Sequence, residues 1–508
     1  MDMNIDLVHI AIENHRVTHV IVEGKEKKAP SSSIIPCIYD IAEKYPYAWI
    51  YFYRPNFISE ETRDFLLQQL KHTNQFITVY AHEPLLLDES IGYVELGPFI
   101  NVNYKVLYPT WRMATDGGIL HASVLNNLNR WQEGDTHFGY WLNSLARTLR
   151  YEGLMCYRYH QNSQPPSYQK NQKLLYRFVK QHFKFSWLMI LFFCQWKYEK
   201  QFSLAALIKS LWYRKRQIKI SLEQIFQPLR QGSLVPFQLD VVIPTLGRKE
   251  YLHQVFKDIS RQTLLPQKVI VVEQDPDLKA TSNLPFINSV EWPFNVQHIF
   301  THKSGACHAR NKALEQTQAP WILLFDDDAR LAPDTFEKMQ KALEETGAYC
   351  INTAYLQEGE KEFFKPYKQW ESFGAGCSII HCSILDQCRF DEKLEHGYGE
   401  DVDFGMQIRN LGYDIIYTPQ IQIRHLKAPV GGFRQPPTFP WDGDPVSPKP
   451  SPQVYYSKLK HFTSQQLKAY QWTLFFKIWK HQKFSNPFRL RKRFLKRWNA
   501  SVYWAERL

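Results

Sequence analysis

Trp321-Ile322-Leu323-Leu324-Phe325-Asp326-Asp327-Asp328 sets an apolar run of strand length directly ahead of three carboxylates. An apolar run without polar alternation predicts a strand covered on both faces, as in a mostly parallel sheet flanked by helices. In an open α/β sheet ligands gather at the carboxyl ends of the strands, which is where these acids fall. Side chains alternate along a strand, so Asp326 and Asp328 are expected to face one site and Asp327 the opposite side. Three crowded carboxylates repel one another unless a cation offsets them. Hard oxygen donors suit Mg2+ or Mn2+, ions that keep positions open for substrate phosphates. Taken alone, the same acids also fit a solvated turn that caps the next helix.

Outward from this stretch, Leu239-Asp240-Val241-Val242-Ile243-Pro244 and Lys268-Val269-Ile270-Val271-Val272-Glu273 are further apolar runs, separated by a helical pattern over Glu250 to Gln262. Strands alternating with helices define an α/β domain. Upstream of the acids, Gly305-Ala306-Cys307-His308-Ala309-Arg310-Asn311-Lys312 opens a helix with small residues and cations. Its start is expected to offer N–H groups, with Arg310, to a diphosphate. Downstream, His396-Gly397-Tyr398-Gly399-Glu400-Asp401-Val402-Asp403-Phe404-Gly405 starts a helix with paired acids, one of them placed to accept a proton from a hydroxyl. Helix capping is the plainer reading of that pair.

This ordered series resembles a family 2 glycosyltransferase with the GT-A nucleotide-binding fold, over about residues 239–435. It comprises Val242 to Thr245, Gly305 to Asn311, Asp326 to Asp328, Gly374-Ala375-Gly376, Gly399-Glu400-Asp401, His425 and Gly431-Gly432. The resemblance implies a donor of the UDP-, GDP- or dTDP-sugar type. Pro244, Thr245, Glu273, Gln274, Asp275, Gly305, Arg310, Asp326 and Asp327 would bind it, although Glu273-Gln274-Asp275 departs from the family's usual acidic pattern. It implies Mn2+ or Mg2+ on Asp326, Asp328 and His425, and Asp401 as general base with Glu400 beside it. Trp370, Glu371, Gly374, Ala375 and Gly376 would line the acceptor side. The implied reaction inverts the anomeric carbon and acts on a glycan or lipid-linked acceptor. A metal-dependent nucleotidyltransferase and a non-catalytic glycan-binding protein are the competing classes.

An internal similarity extends the α/β reading to the first part of the chain. Ala48 to Tyr53 resembles Pro320 to Phe325, and Leu120 to Leu125 resembles Ile380 to Leu385. Gly134 to Gly139 resembles Gly399 to Gly405. Arg54-Pro55-Asn56 stands where the second copy has its three acids, so the first is expected to be a degenerate GT-A-like domain without metal ligands. The expected organisation is this domain over 1–164, a basic helical linker over 165–235, the catalytic domain over 236–435, and a Pro-rich loop with basic aromatic helices over 436–508.

Net charge is +12 over 508 residues, but it is unevenly placed. Residues 165–235 carry +11 and residues 458–508 carry +12, leaving −11 for the rest. Basic charge away from the acidic motif region argues against a nucleic-acid enzyme. Aromatic and basic residues mixed over Lys184 to Lys200 and Ala469 to Trp498 instead suit contact with an anionic membrane surface. The longest apolar run, Phe185 to Cys194, is about half a bilayer span. No secretory signal pattern is present, and eight scattered cysteines form no metal-binding or disulfide framework. The expected location is cytoplasmic, peripheral on the cytoplasmic face of a membrane.

Overall fold

The computed structural model describes residues 6–128, 136–216, 220, 222–229, 237–429, 438–482 and 486–508. Gly134, Asp135, Gly431, Gly432 and Gln435 lie outside them, as does the 235/236 boundary. The chain divides into two compact units. The first is Met1–Gln231 with Pro366–Gln369 and Phe462–Gln471, and the second is Gly232–Lys365 with Trp370–His461 and Trp472–Leu508. The helices expected as a separate linker thus group with the first unit, and the C-terminal segment is shared between the two.

In the second unit the strands lie in the order Asn295–Thr301, Lys268–Gln274, Leu239–Thr245, Trp321–Phe325, Cys377–His381, Cys350–Leu356, Ile416–His425 and Ala329–Arg330. The first four run parallel; Cys377–His381 is antiparallel to both of its neighbours. Trp321 to Phe325 is buried throughout. Its neighbours contribute Val242, Ile270, Val272 and Ile380 to one core with Phe404 and Ile408. Each such side chain, fully buried, contributes roughly 1.5–3 kcal/mol. The expected mostly parallel sheet flanked by helices is present, and with it the GT-A class of α/β fold.

The first unit repeats this sheet. Its order is Lys25–Lys27, Arg16–Val22, Leu7–Glu13, Trp49–Tyr53, Gly117–His121, Gln75–Tyr80, Met155–His160 and Tyr108–Pro109. From Leu7–Glu13 to Tyr108–Pro109 the alternation of parallel and antiparallel pairs is the same as in the second sheet. Trp49 pairs with His121 and Trp321 with His381, with edge-on rings 5.2 and 5.0 Å apart. Each histidine then caps a short helix by accepting the N–H of Ser123 or Ser383. The copies diverge at one edge. Leu7–Glu13 and Arg16–Val22 form a tight hairpin through Asn14 and His15, both at positive φ, whereas a helix, Lys249–Ser260, connects the equivalent parallel strands.

Candidate active site

Asp326 follows the last residue of the central strand Trp321–Phe325. One of its oxygens lies 3.2 Å from the Arg310 guanidinium, and the other accepts from the Tyr355 hydroxyl at 3.1 Å. Asp327, in the turn after the strand, accepts from Thr245 Oγ1 at 2.7 Å and Arg248 Nη1 at 2.8 Å. Asp328 faces Arg248 at 3.3 Å and His425 Nε2 at 3.5 Å, and accepts the Ala428 N–H at 2.8 Å. Two guanidiniums therefore already offset the three carboxylates.

His425 reaches Asp328 because Ala329–Arg330 pairs antiparallel with Arg424–His425. It is the final residue of the strand Ile416–His425, and its ring stacks on Tyr355 at 4.4 Å. Donor atoms of Asp326, Asp328 and His425 lie within 4.8 Å of one another, which fits a divalent cation.

Asp401 stands on the first turn of the helix Glu400–Asn410, and its Oδ1 accepts the Ala375 N–H at 3.3 Å. The loop Gly374-Ala375-Gly376 is thus held to Asp401 at one position and pressed on Asp326 at the next: a Cβ on Gly376 would come within 2.1 Å of Asp326 Oδ2. The turn into the Asp401 helix is strained. His396, Tyr398 and Gly399 all have positive φ, and Tyr398 is a bulky residue for that conformation.

The charges follow from these surroundings. Burial pushes the Asp401 carboxyl up to about 7; Arg310 opposes this, while Glu400 and Asp326 add to it. Burial likewise pushes Asp327 up to about 6, against Arg248 and Thr245. At Asp328 burial also acts upward, but the His425 hydrogen bond and Arg248 outweigh it and hold the carboxyl below its ordinary value.

Residues 240–390 match the model of Glycosyl transferase family 2. This stretch is a family 2 glycosyltransferase domain. An uncharacterized glycosyltransferase, YwdF of Bacillus subtilis (strain 168), is 31% identical over 109 residues, or 21% of this chain. The chain spans 38% of that relative's length. The crystal structure of S. aureus TarS 1-349 in complex with UDP-GlcNAc overlaps 49% of this chain and 74% of its own, at 15% identity and a TM-score of 0.34. A mannosyltransferase from Pyrobaculum calidifontis, in complex with GDP-Man and Mn2+, overlaps 48% and 68%, at 15% identity and a TM-score of 0.30.

Within the glycosyltransferase domain several expected contacts are already engaged. The helix start at Gly305 is closed: Glu395 accepts the N–H groups of Cys307 and His308 at 3.1 and 3.0 Å, and the Gly305 N–H donates to Gln274. The expected cradle of open N–H groups is therefore corrected to one capped by a carboxylate, with Arg310 turned to Asp326. Glu273 accepts from Ser282, Asn283 and His298, so it anchors a loop. Asp275 accepts the Asp277 N–H. Pro244 and Thr245 end their strand beside Asp327. Trp370 stacks on Tyr417 at 4.2 Å, which occupies one face of the indole.

Arg248, Tyr355 and Glu395 escaped the sequence reading. Arg248 follows a strand end by three residues, and Tyr355 is the last but one residue of the strand Cys350–Leu356, but neither position carries a periodic signal. Asp401 and His425 lie beyond the matched stretch, and the Ala375 and Asp328 contacts join them to it.

Proposed function

We propose that the second unit transfers a sugar from a nucleoside-diphosphate donor to a hydroxyl group of a glycan or lipid-linked acceptor, with inversion at the anomeric carbon. The observation that carries this reading is the Gly374-Ala375-Gly376 loop, which contacts the strand-end Asp326 and the helix-start Asp401 through consecutive residues. Asp326, Asp328 and His425 would hold Mn2+ or Mg2+, which when bound offsets diphosphate charge and eases departure of the nucleoside diphosphate.

The other steps belong to the chain. Asp401 accepts the acceptor's proton as its oxygen bonds to the anomeric carbon and the bond from that carbon to the phosphate oxygen breaks. A carboxyl near 7 suits this exchange at neutral pH. Arg310 holds Asp326 in place, and Arg248 does the same for Asp327 and Asp328. Glu400 opens the helix beside Asp401.

The acceptor belongs at a membrane surface. Among the described residues no helix is long and apolar enough to cross a membrane. Yet in the first unit Phe185, Trp196, Phe202, Ile208 and Trp212 are exposed, Trp212 by 77%. Lys184, Lys197, Lys200 and Lys209 stand among them. Rings beside cations suit an anionic headgroup layer.

The reading is tested by thermal shift of the full chain with UDP-, GDP- and dTDP-sugars, with and without Mn2+. One donor class should stabilise the protein by several degrees in an Mn2+-dependent way, and Asp326→Asn should remove that response. No response from any donor would overturn it.

A further inference from the structure

Tyr355 touches two of the three residues placed to hold a cation. Its hydroxyl donates to Asp326 Oδ2 at 3.1 Å, and its ring lies 4.4 Å from the His425 imidazole with the two planes 9° apart. A shift of strand register makes this meeting possible. Cys350–Leu356 runs parallel to Ile416–His425, with Thr353 opposite Thr418 but Ala354 opposite Gln422. Pro419 falls in the skipped stretch, where a residue without an N–H cannot continue the ladder. Tyr355 therefore stands opposite Ile423, and His425, two residues on, shares that face of the strand. In the unshifted register Gln420 would stand opposite Tyr355, and His425 would lie about 16 Å farther along.

The partners of the two acids limit what they can offer a cation. Asp328 Oδ2 accepts the Ala428 N–H at 2.8 Å and faces Arg248 at 3.3 Å, which leaves Oδ1, the oxygen 3.5 Å from His425 Nε2. On Asp326, Arg310 lies 3.2 Å from Oδ1 while Tyr355 holds Oδ2. Both carboxylates are thus clamped, and the third donor is a nitrogen. Ca2+ takes about six to eight oxygens and readily uses both oxygens of one carboxylate. A transition-metal ion such as Mn2+ accepts an imidazole nitrogen beside single carboxylate oxygens.

We propose that Tyr355 is a positioning residue that makes this site prefer Mn2+ over Ca2+, by fixing Asp326 Oδ2 and the plane of the His425 ring. It acts through those two residues and supplies no ligand of its own. Without the hydroxyl, Asp326 Oδ2 regains both lone pairs and can join Oδ1 on one large ion, while the alignment that serves Mn2+ is lost. The inference rests on the metal assignment made above for the transferase.

Titration of the full chain with Mn2+ alone, followed by the paramagnetic resonance of the unbound ion, tests this, with Ca2+ measured by its displacement of bound Mn2+. Tyr355→Phe keeps the ring stack and deletes the hydroxyl. It should weaken Mn2+ about ten-fold without weakening Ca2+, so that the preference for Mn2+ falls by the same factor. Tyr355→Leu, which also loses the stack, should weaken Mn2+ further. A partly unfolded variant would lower both ions alike and could not imitate the change in preference. A preference unmoved in Tyr355→Phe, or a wild-type chain that binds Ca2+ as tightly as Mn2+, overturns the proposal. No donor is present in this test. A chain that shows the Tyr355-dependent preference but responds to no nucleotide sugar would uphold this inference and overturn only the transferase reading, and a donor response with an unmoved preference would do the reverse.

Discussion

His461 Nε2 lies 2.7 Å from Asp403 Oδ1, joining a C-terminal helix to the helix that carries Asp401. The helix Pro452–His461 braces that element at several points. Lys460 reaches the same oxygen at 2.6 Å, and a Cβ on Gly397 or Gly399 would meet Gln453 or Ser457. Two residues beyond Asp401, Asp403 is thus a buried anchor for the strained turn before it.

His461→Ala should lower stability by about 1–3 kcal/mol, because it removes a partner from a buried carboxylate. It should lower kcat more than donor KM, since Asp403 positions the base and does not touch the donor. Burial acts to raise the Asp403 carboxyl, but His461 and Lys460 outweigh it and leave it below its ordinary value. Its contribution to stability is therefore present above the unfolded pKa of about 3.9 and lost as pH falls through the folded value. Melting curves between pH 2 and 7 should show Asp403→Asn with the shallower acid loss.

Asp401→Asn should abolish transfer while Mn2+-dependent donor binding persists. The base acts only when ionised, so the wild-type rate should climb as pH rises through about 7 and then level off. The same raised carboxyl makes a linkage prediction. Between about pH 4 and 7 the folded state holds a proton that the unfolded chain has released, so stability falls as pH rises. Asp401→Asn should therefore melt higher than wild type at pH 8 and level with it near pH 4; a gap that fails to widen with pH would contradict the buried placement of this acid.

Gly376→Ala places a methyl group where Asp326 Oδ2 now stands. The carboxylate or the loop must shift, at about 1–3 kcal/mol. The variant should lose the Mn2+-dependent thermal shift by at least half while its far-ultraviolet circular dichroism stays unchanged. A full Mn2+ response would show that Asp326 is not a ligand.

Replacing Trp196, Phe202 and Trp212 together by Ser should reduce sedimentation with anionic vesicles at least five-fold and leave transfer to a soluble acceptor intact. These rings are exposed, so folding should tolerate the change. Wild-type protein that fails to sediment with such vesicles at low salt would remove the membrane reading.

Local periodicity carried much of this protein into view. An unbroken apolar run before Asp326 marked a buried strand and put the three acids at its carboxyl end. Equivalent Trp and His positions in both copies gave away the repeat, because the same pairing across two strands requires the same residues. Tertiary structure alone decided which groups meet. Arg248 reaches Asp327 and Asp328, Glu395 closes the helix start at Gly305, and His461 anchors Asp403. Burial recurs with the period of a strand or helix and so is written along the chain. Charge partners are matched across it, at separations with no period, and only the folded backbone selects them.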